Sequence, residues 1–224
     1  MEPKKKPARP RDAASLVLVR GRGPDTEVLL GRRDPAARFM PGYYVFPGGG
    51  VDRTDARATP ASPLDPSIEP SLAVGGRSTR ARALAMAAVR ETFEETGLVL
   101  GAPGDPGPVA EPTWDAMRAL GLAPALSRLR YLGRAITPTR SPIRFHARFF
   151  IADAEHAHGD VRGNGELHEI DWIPAASTAG LPMAGVTRFI LDRLAELADR
   201  LDHRDPVWAF TYRNSGRSLR IEEP

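Results

Sequence analysis

Cysteine is absent from the 224-residue chain. Its absence excludes a disulfide framework, a thiolate metal site and a cysteine nucleophile. Long apolar runs are also missing, because the run after the basic start, Ser15–Val19, has only five residues. That is too short for the core of a signal peptide and far shorter than the ~20 residues of a membrane helix. We therefore expect a soluble, cytoplasmic protein with no membrane partner.

Charge of one sign is only slightly in excess, since the formal net charge is +3. Much of this excess lies in the first eleven residues, MEPKKKPARPR. So weak a field does not require a nucleic-acid partner, and we expect none. We predict a disordered basic tail over residues 1–12, one globular domain over 13–203, and a C-terminal extension over 204–224.

Short β-type runs alternate with turn residues and helical periods, which predicts a mixed sheet with helices on its faces, an α/β (α+β) fold. Residues 53–78 are rich in proline, serine, alanine and glycine without periodicity, and we interpret them as an insertion. We expect residues 56–75 to be removable at little cost in stability. The predicted strands are 15–20, 27–32, 43–46, 98–101, 130–136, 144–152 and 166–173, and the predicted helices are 80–96, 113–120 and 186–202.

Three glutamates share one side of the predicted helix over residues 80–96. At ~100° per residue, Glu91, Glu94 and Glu95 span an arc of about 100°. Like charges at these spacings repel, and a solvated acidic face is one interpretation. A cluster of hard oxygen ligands is also what Mg²⁺ or Mn²⁺ takes when it holds substrate phosphates. The spacing alone leaves both interpretations open.

A run of glycines, Pro47–Gly50, follows a predicted strand. It is typical of a tight turn, or of backbone that passes close to another group and exposes a carbonyl there. Together with RETFEETGL at Arg90–Leu98, it resembles the box of the Nudix hydrolase family: Gly, five residues, Glu, seven residues, then Arg-Glu-apolar-x-Glu-Glu-x-Gly-apolar. The second half matches at every fixed residue except Thr92, which stands at an apolar position.

The first half of the box departs from the family spacing. Gly49 and Arg90 are 41 positions apart where the family has 14, so 27 residues are surplus. Counting back from Glu91, the early box glutamate falls at Arg82, and we expect that carboxylate to be missing. A similar interruption occurs in the Nudix branch of peroxisomal coenzyme A hydrolases and their bacterial relatives.

The segment LLGRRDPAARFMPGYYVFPGG, residues 29–49, resembles the signature that accompanies coenzyme A diphosphatases of this family. Arg33 and Arg38 fall at its spacing, whereas Gly31 and Asp34 depart from it. Guanidinium groups match phosphate oxygens in a fixed fork, so both arginines are predicted to bind substrate, with surface ion pairing as the alternative.

A later aromatic-rich strand, within ITPTRSPIRFHARFFIA, also resembles this branch. Arg144 and Arg148 lie on one face of that strand. We predict that they reach the substrate, with solubility of an edge strand as the alternative. His146 shares their face, and we interpret it as a structural histidine.

The resemblance implies a Nudix-type α/β/α sandwich and a metal-dependent diphosphatase. Glu91, Glu94 and Glu95, with a main-chain carbonyl near Gly48, would hold Mg²⁺ or Mn²⁺. In relatives, the general base is a box glutamate or one from a later loop. Among the box glutamates, Glu94 is a candidate for the general base. The candidates from the later loop are Glu166, which we prefer, and Glu169, which lies further along the predicted strand.

The substrate implied is a small molecule with a nucleoside-diphosphate linkage, foremost coenzyme A or acyl-coenzyme A. Two alternatives stay open: a Nudix diphosphatase for ADP-ribose, dinucleotides or a nucleoside triphosphate, and a Nudix module that senses a nucleotide without cleaving it. The intact box carboxylates argue against the sensor. Relatives are often dimers, so the C-terminal extension either packs on a second copy or folds back on its own domain.

Overall fold

The structure, a computed structural model, describes residues 8–72, 78–199, 207–213 and 216–222. Its strands are β1 (Arg11–Arg20), β2 (Glu27–Arg33), β3 (Tyr44–Val45), β4 (Gly48–Gly50), β5 (Val99–Pro103), β6 (Leu122–Pro124), β7 (Arg130–Ile136), β8 (Phe145–Asp153), β9 (Ala157–His158), β10 (Leu167–Pro174), β11 (Val207–Arg213) and β12 (Gly216–Glu222). Its α-helices are α1 (Glu69–Leu72), α2 (Ser78–Thr96), α3 (Pro112–Ala119), α4 (Gly185–Leu191) and α5 (Leu194–Asp199).

The main sheet is mixed, and its strands run in the order β10-β2-β1-β8-β7-β11-β12. The short strands β3 and β4 pair with β2 and β1, and a second, three-stranded sheet has the order β6-β5-β9. The strands predicted over 15–20 and 27–32 form an antiparallel hairpin, in which Val19 lies opposite Val28. Strand β8 runs parallel to β1 over nearly its whole length.

Alternation along β1 separates two cores, one on each face of the sheet. Leu16 and Leu18 pack with residues of α2, whereas Val17 and Val19 pack with residues of α4 and α5. The predicted α/β/α sandwich is therefore confirmed.

Helix α2 ends where its sequence predicts, at Thr96. Gly97 follows with φ 75°, a left-handed conformation that glycine adopts without steric cost. Its amide still donates to the carbonyl of Phe93 (2.9 Å). This end fixes the position of the last turn of α2, which carries the box glutamates.

The insertion, as far as Leu72, is not a bare surface loop, which argues against the expectation that residues 56–75 can be removed at little cost. Ala58, Leu64 and Leu72 are buried in the core beside α2. These apolar residues follow no regular period, which is why their burial could not be predicted from the pattern.

The end of the chain differs from the prediction in two ways. A single helix is predicted over 186–202, but its described part, to Asp199, is two short helices, α4 and α5, separated by a turn at Asp192 and Arg193, and residues 200–202 lie outside the described residues. The extension folds back on its own sheet, because β11 pairs in parallel with β7. None of the helices in the described ranges is long and apolar enough to cross a membrane.

At the other end, strand β1 begins at Arg11, so the last residues of the predicted disordered tail belong to the sheet. The amide of Arg11 donates to the carbonyl of Arg144 (2.9 Å). Residues 1–7 of the predicted tail lie outside the described residues.

Candidate active site

A cavity of about 500 Å³ opens beside the last turns of α2. It brings together most of the residues that the sequence singled out. Those residues are Arg33, Gly48, Gly49, Gly50, Glu91, Glu94, Glu95 and Glu166.

Gly48 and Glu95 meet in the lining of the cavity. The Gly48 amide donates to Glu95 Oε2 (2.8 Å), and Glu95 is only 2% exposed. A side chain at Gly48 would start 2.4 Å from the carbonyl oxygen of Ala14, so only glycine allows this approach. Burial raises the pKa of Glu95 to about 8, the Gly48 amide opposes the shift, and the charge of Glu91 adds to it.

Gly49 makes room for the second carboxylate. A Cβ atom built on Gly49 would lie 2.3 Å from Glu91 Oε2, so the Glu91 carboxylate occupies the space that a side chain would need. Burial raises the pKa of Glu91 to about 7, although Arg90 acts against the shift. Arg90 Nη1 lies 2.8 Å from Glu91 Oε1.

Arg90 is buried at the centre of the site. Its Nε and Nη2 donate to the two carboxylate oxygens of Asp55 (2.7 and 3.1 Å). Its Nη1 also donates to Glu94 Oε1 (3.0 Å), and Nη2 donates to the carbonyl of Gly50 (2.9 Å). Arg90 therefore links the box helix to the glycine strand β4 and to the insertion.

Asp55 corrects the expectation that the early box carboxylate is missing. It follows Gly49 after five residues, which is the family spacing, so the surplus lies between Asp55 and Arg90. Counting back from Glu91 placed that position at Arg82, whose side chain instead donates to the carbonyl of Ala56. Counting forward from Gly49 would have found the carboxylate.

Glu94 is held by a residue of α3 as well as by Arg90. The Thr113 hydroxyl, at the start of α3, donates to Glu94 Oε1 (2.6 Å), the same oxygen that accepts from Arg90. Glu94 remains partly exposed to the cavity. Its carboxylate is therefore oriented but still accessible.

Within the described ranges, no three His, Asp or Glu side chains are grouped as a ready metal site. The box carboxylates are turned to protein partners instead, Glu91 and Glu94 to Arg90 and Glu95 to the Gly48 amide. The donor set nevertheless fits a hard divalent cation. Burial, together with repulsion from neighbouring carboxylates, raises the pKa of Glu91 and Glu95. A bound cation would favour the charged form of both carboxylates and so lower their pKa again.

Glu166 and Glu169 are separated by the structure. Glu166 is exposed and lines the cavity, close enough to Glu95 for its charge to act on that carboxyl. Glu169 instead accepts from Arg32 (3.0 Å) and from the Tyr44 hydroxyl (2.5 Å), away from the cavity lining. The geometry favours Glu166 over Glu169 as the later-loop candidate.

Of the two arginines in the upstream signature, one lines the cavity and the other does not. Arg33 lines the cavity, its Nε donates to the carbonyl of Phe39 (2.9 Å), and its charge acts to lower the pKa of Glu95. Arg38 is exposed and lies outside the cavity lining.

Arg144 and Arg148 do not line the cavity, so their prediction as substrate ligands is corrected. Arg148 is 0% exposed, and its Nη1 donates to Asp12 Oδ1 (3.0 Å). Arg144 donates to the carbonyls of Thr137 (3.1 Å) and Ala8 (2.7 Å).

The reason is the alternation of β8. Ala147 and Phe149 face the cavity, so the even-numbered side chains point to the other face of the sheet. His146 belongs to that other face, where burial and the charges of Arg148 and Arg134 lower its pKa to about 4. Its interpretation as a structural histidine agrees with this position.

No protein-family model matches the chain. Several curated proteins are similar to it, among them the following two. Putative nudix hydrolase 7 of Caenorhabditis elegans is 28% identical over 175 residues, which are 73% of this chain and 51% of that protein. The acyl-coenzyme A diphosphatase NUDT19 of Homo sapiens is 33% identical over 165 residues, which are 55% of this chain and 44% of that protein. The chain thus spans about half the length of these relatives.

A solved structure covers the fold more completely. The crystal structure of a NUDIX hydrolase from Alicyclobacillus acidocaldarius superposes with a TM-score of 0.66 at 29% identity. The likeness covers 89% of this chain and 99% of that one. It confirms the resemblance that the glycine run and the box helix carry.

Proposed function

We propose that this chain, which belongs to the Nudix hydrolase family, is a metal-dependent diphosphatase acting on coenzyme A or acyl-coenzyme A. Water would attack one phosphorus atom of the diphosphate, and the bridging P–O bond would break. The products would be 3′,5′-ADP and (acyl-)4′-phosphopantetheine.

One observation carries the proposal: the box carboxylates, a glycine strand and a cationic side chain converge on a single cavity. Glu91, Glu94 and Glu95, with a main-chain carbonyl near Gly48, would hold Mg²⁺ or Mn²⁺. A bound divalent cation supplies charge neutralisation for the diphosphate and lowers the pKa of a water molecule.

The protein's own groups orient this reaction. Arg90, fixed at two points by Asp55, holds the carboxylates of Glu91 and Glu94 in place. Glu166, exposed at the cavity wall, would accept the proton of the attacking water, with Glu94 as the alternative base. Arg33 would neutralise a phosphate oxygen of the bound substrate.

The substrate class is supported by two features. The signature over residues 29–49 resembles that of coenzyme A diphosphatases, and the structure turns its Arg33 into the cavity. The similar human protein is named an acyl-coenzyme A diphosphatase. A homodimer stays a prediction.

A panel of diphosphates incubated with the protein and Mg²⁺ tests the proposal. We expect cleavage of coenzyme A or its thioesters, with release of 3′,5′-ADP detected by mass spectrometry. Cleavage of ADP-ribose, dinucleotides or nucleoside triphosphates alone would instead identify a Nudix diphosphatase of other specificity. Binding of a nucleotide without cleavage of any compound would identify a sensor.

A further inference from the structure

The cavity continues well beyond the carboxylates, and its far part is apolar. Its walls there are formed by aromatic and aliphatic side chains from five segments of the chain. Those side chains are Val45, Phe46, Pro138, Phe145, Phe149, Val186 and Phe210. Phe210 belongs to β11, so the C-terminal extension, which lies outside both sequence motifs, completes the substrate cavity.

A row of small residues forms the floor between the two ends. In the sheet register, Gly50 lies opposite Ala13, Ala13 opposite Ala147, and Ala147 opposite Ala135. Ala135 in turn lies opposite Phe210, and all five residues line the cavity. The floor is therefore open across four strands, and the first large side chain on it is Phe210.

Charge decides which half of the substrate can enter the apolar part. Among the described residues that line the cavity, Arg33 is the one cation, and its charge is felt at Glu95, in the carboxylate end. A phosphate group buried against apolar walls without a cation would carry a large desolvation cost. The nucleotide half, with its 3′-phosphate, must then stay at the carboxylate end or outside, and the uncharged pantetheine half takes the apolar part.

The distance across the floor limits the length of the pantetheine half and the acyl group that it carries. Four strand-to-strand steps of about 4.8 Å place Phe210 about 19 Å from Gly50. The pantetheine arm, with about twelve bonds from ester oxygen to sulfur, spans about 14 Å at the reach per backbone bond of an extended chain. The remaining ~5 Å of the floor leaves room for about four further bonds of an acyl chain at the same reach.

We propose that Phe210 is a specificity-determining residue that stops the acyl chain, so that the preferred substrates are coenzyme A thioesters of short acyl groups. This inference rests on the proposed function. It goes further by assigning the orientation of the substrate and the residue that limits its length.

The test is the efficiency kcat/KM measured across acetyl-, butyryl-, hexanoyl- and decanoyl-coenzyme A. For the wild type we expect efficiency to fall at least about tenfold between butyryl- and decanoyl-coenzyme A, since even single methylene groups are discriminated by a closed apolar pocket. Phe210→Ala should restore decanoyl-coenzyme A to within about threefold of butyryl-coenzyme A, because the wall that excludes the longer chain is gone.

Phe189→Ala is the matched control, because Phe189 packs on Phe210 (ring centroids 5.9 Å apart) but does not line this cavity. It removes a ring from the same cluster and should keep the wild-type profile. Phe210→Leu, a milder change, replaces Phe210→Ala if the alanine variant does not fold, and it should extend the accepted chain by a smaller amount.

Binding without turnover separates the two proposals. Calorimetric titration of coenzyme A and its thioesters in EDTA should show the same chain-length order. If these compounds are bound and cleaved but the order is flat, or unchanged in both Phe210 variants, Phe210 is not the stop and this inference is overturned. If none is bound or cleaved while another diphosphate is, the proposed function itself fails, and the inference fails with it.

Discussion

Asp55 and Arg90 form a buried two-point ion pair across 35 positions of sequence, with Nε–Oδ1 and Nη2–Oδ2 distances of 2.7 and 3.1 Å. Planar guanidinium and carboxylate groups match in this geometry, which fixes their relative orientation. The pair joins the insertion to the helix that carries the box glutamates.

Asp55→Ala should lower the free energy of unfolding by about 3–5 kcal/mol, because it leaves the buried charge of Arg90 without its main partner. Asp55→Glu, which restores the family's residue type, should recover a large part of that loss. Denaturant unfolding followed by circular dichroism measures both. Asp115→Asn, at an exposed ion pair, is the control and should leave stability unchanged. Wild-type stability of Asp55→Ala would contradict the role assigned to the pair.

His146 should make stability depend on pH in a defined window. Its folded pKa of about 4 lies below its ordinary value of 6.5, so the unfolded chain takes up a proton first. Its contribution is therefore complete above pH 6.5 and is lost as pH falls from 6.5 towards 4. Since the ring is half-buried, we expect about 1–2 kcal/mol.

The measurement compares the free energy of unfolding of the wild type and His146→Gln at several pH values. The free energy of unfolding of the wild type, relative to that of His146→Gln, should fall as the pH falls through that window, because titration of the carboxylates is common to both proteins and cancels. Parallel curves from pH 7 to pH 4 would mean that His146 takes up its proton equally in both states.

Arg33 should distinguish coenzyme A from dephospho-coenzyme A, if it contacts the 3′-phosphate. Loss of a charge-assisted contact of ~1.5–3 kcal/mol corresponds to roughly 10- to 150-fold in kcat/KM. Arg33→Ala should then erase the preference and leave hydrolysis of the dephospho form nearly unchanged. Arg38→Ala is the matched control, since Arg38 is exposed outside the cavity lining. The assignment fails if Arg38→Ala erases the preference and Arg33→Ala keeps it.

Local pattern was sufficient to predict that the three box glutamates share a helix face and that the glycine run lies close to another group. Glu91, Glu94 and Glu95 share a helix face because their spacing requires it, and the glycine run had to approach something closely. The structure shows what that is: the carboxylates of Glu91 and Glu95 occupy the space beside Gly49 and Gly48.

The positions of the other candidate residues depend on the tertiary arrangement. Arg144 and Arg148 do share a face, but which face of β8 meets the cavity depends on how the whole sheet packs. Phe210 could not be assigned because its role arises from the parallel pairing of β11 with β7, which no local pattern indicates. Asp55 could be predicted from the sequence, because it follows Gly49 at the spacing of the family's box.

The most direct measurement is hydrolysis of coenzyme A by the wild type and by Glu95→Gln, each with Mg²⁺ and with EDTA, and with folding checked by circular dichroism. We expect 3′,5′-ADP from the wild type only when the cation is present. Turnover of Glu95→Gln should be lower by at least ~10²-fold with its fold intact, because the metal at the reacting centre is lost. Near-normal turnover in a folded Glu95→Gln, or equal turnover in EDTA, would contradict the metal-dependent mechanism.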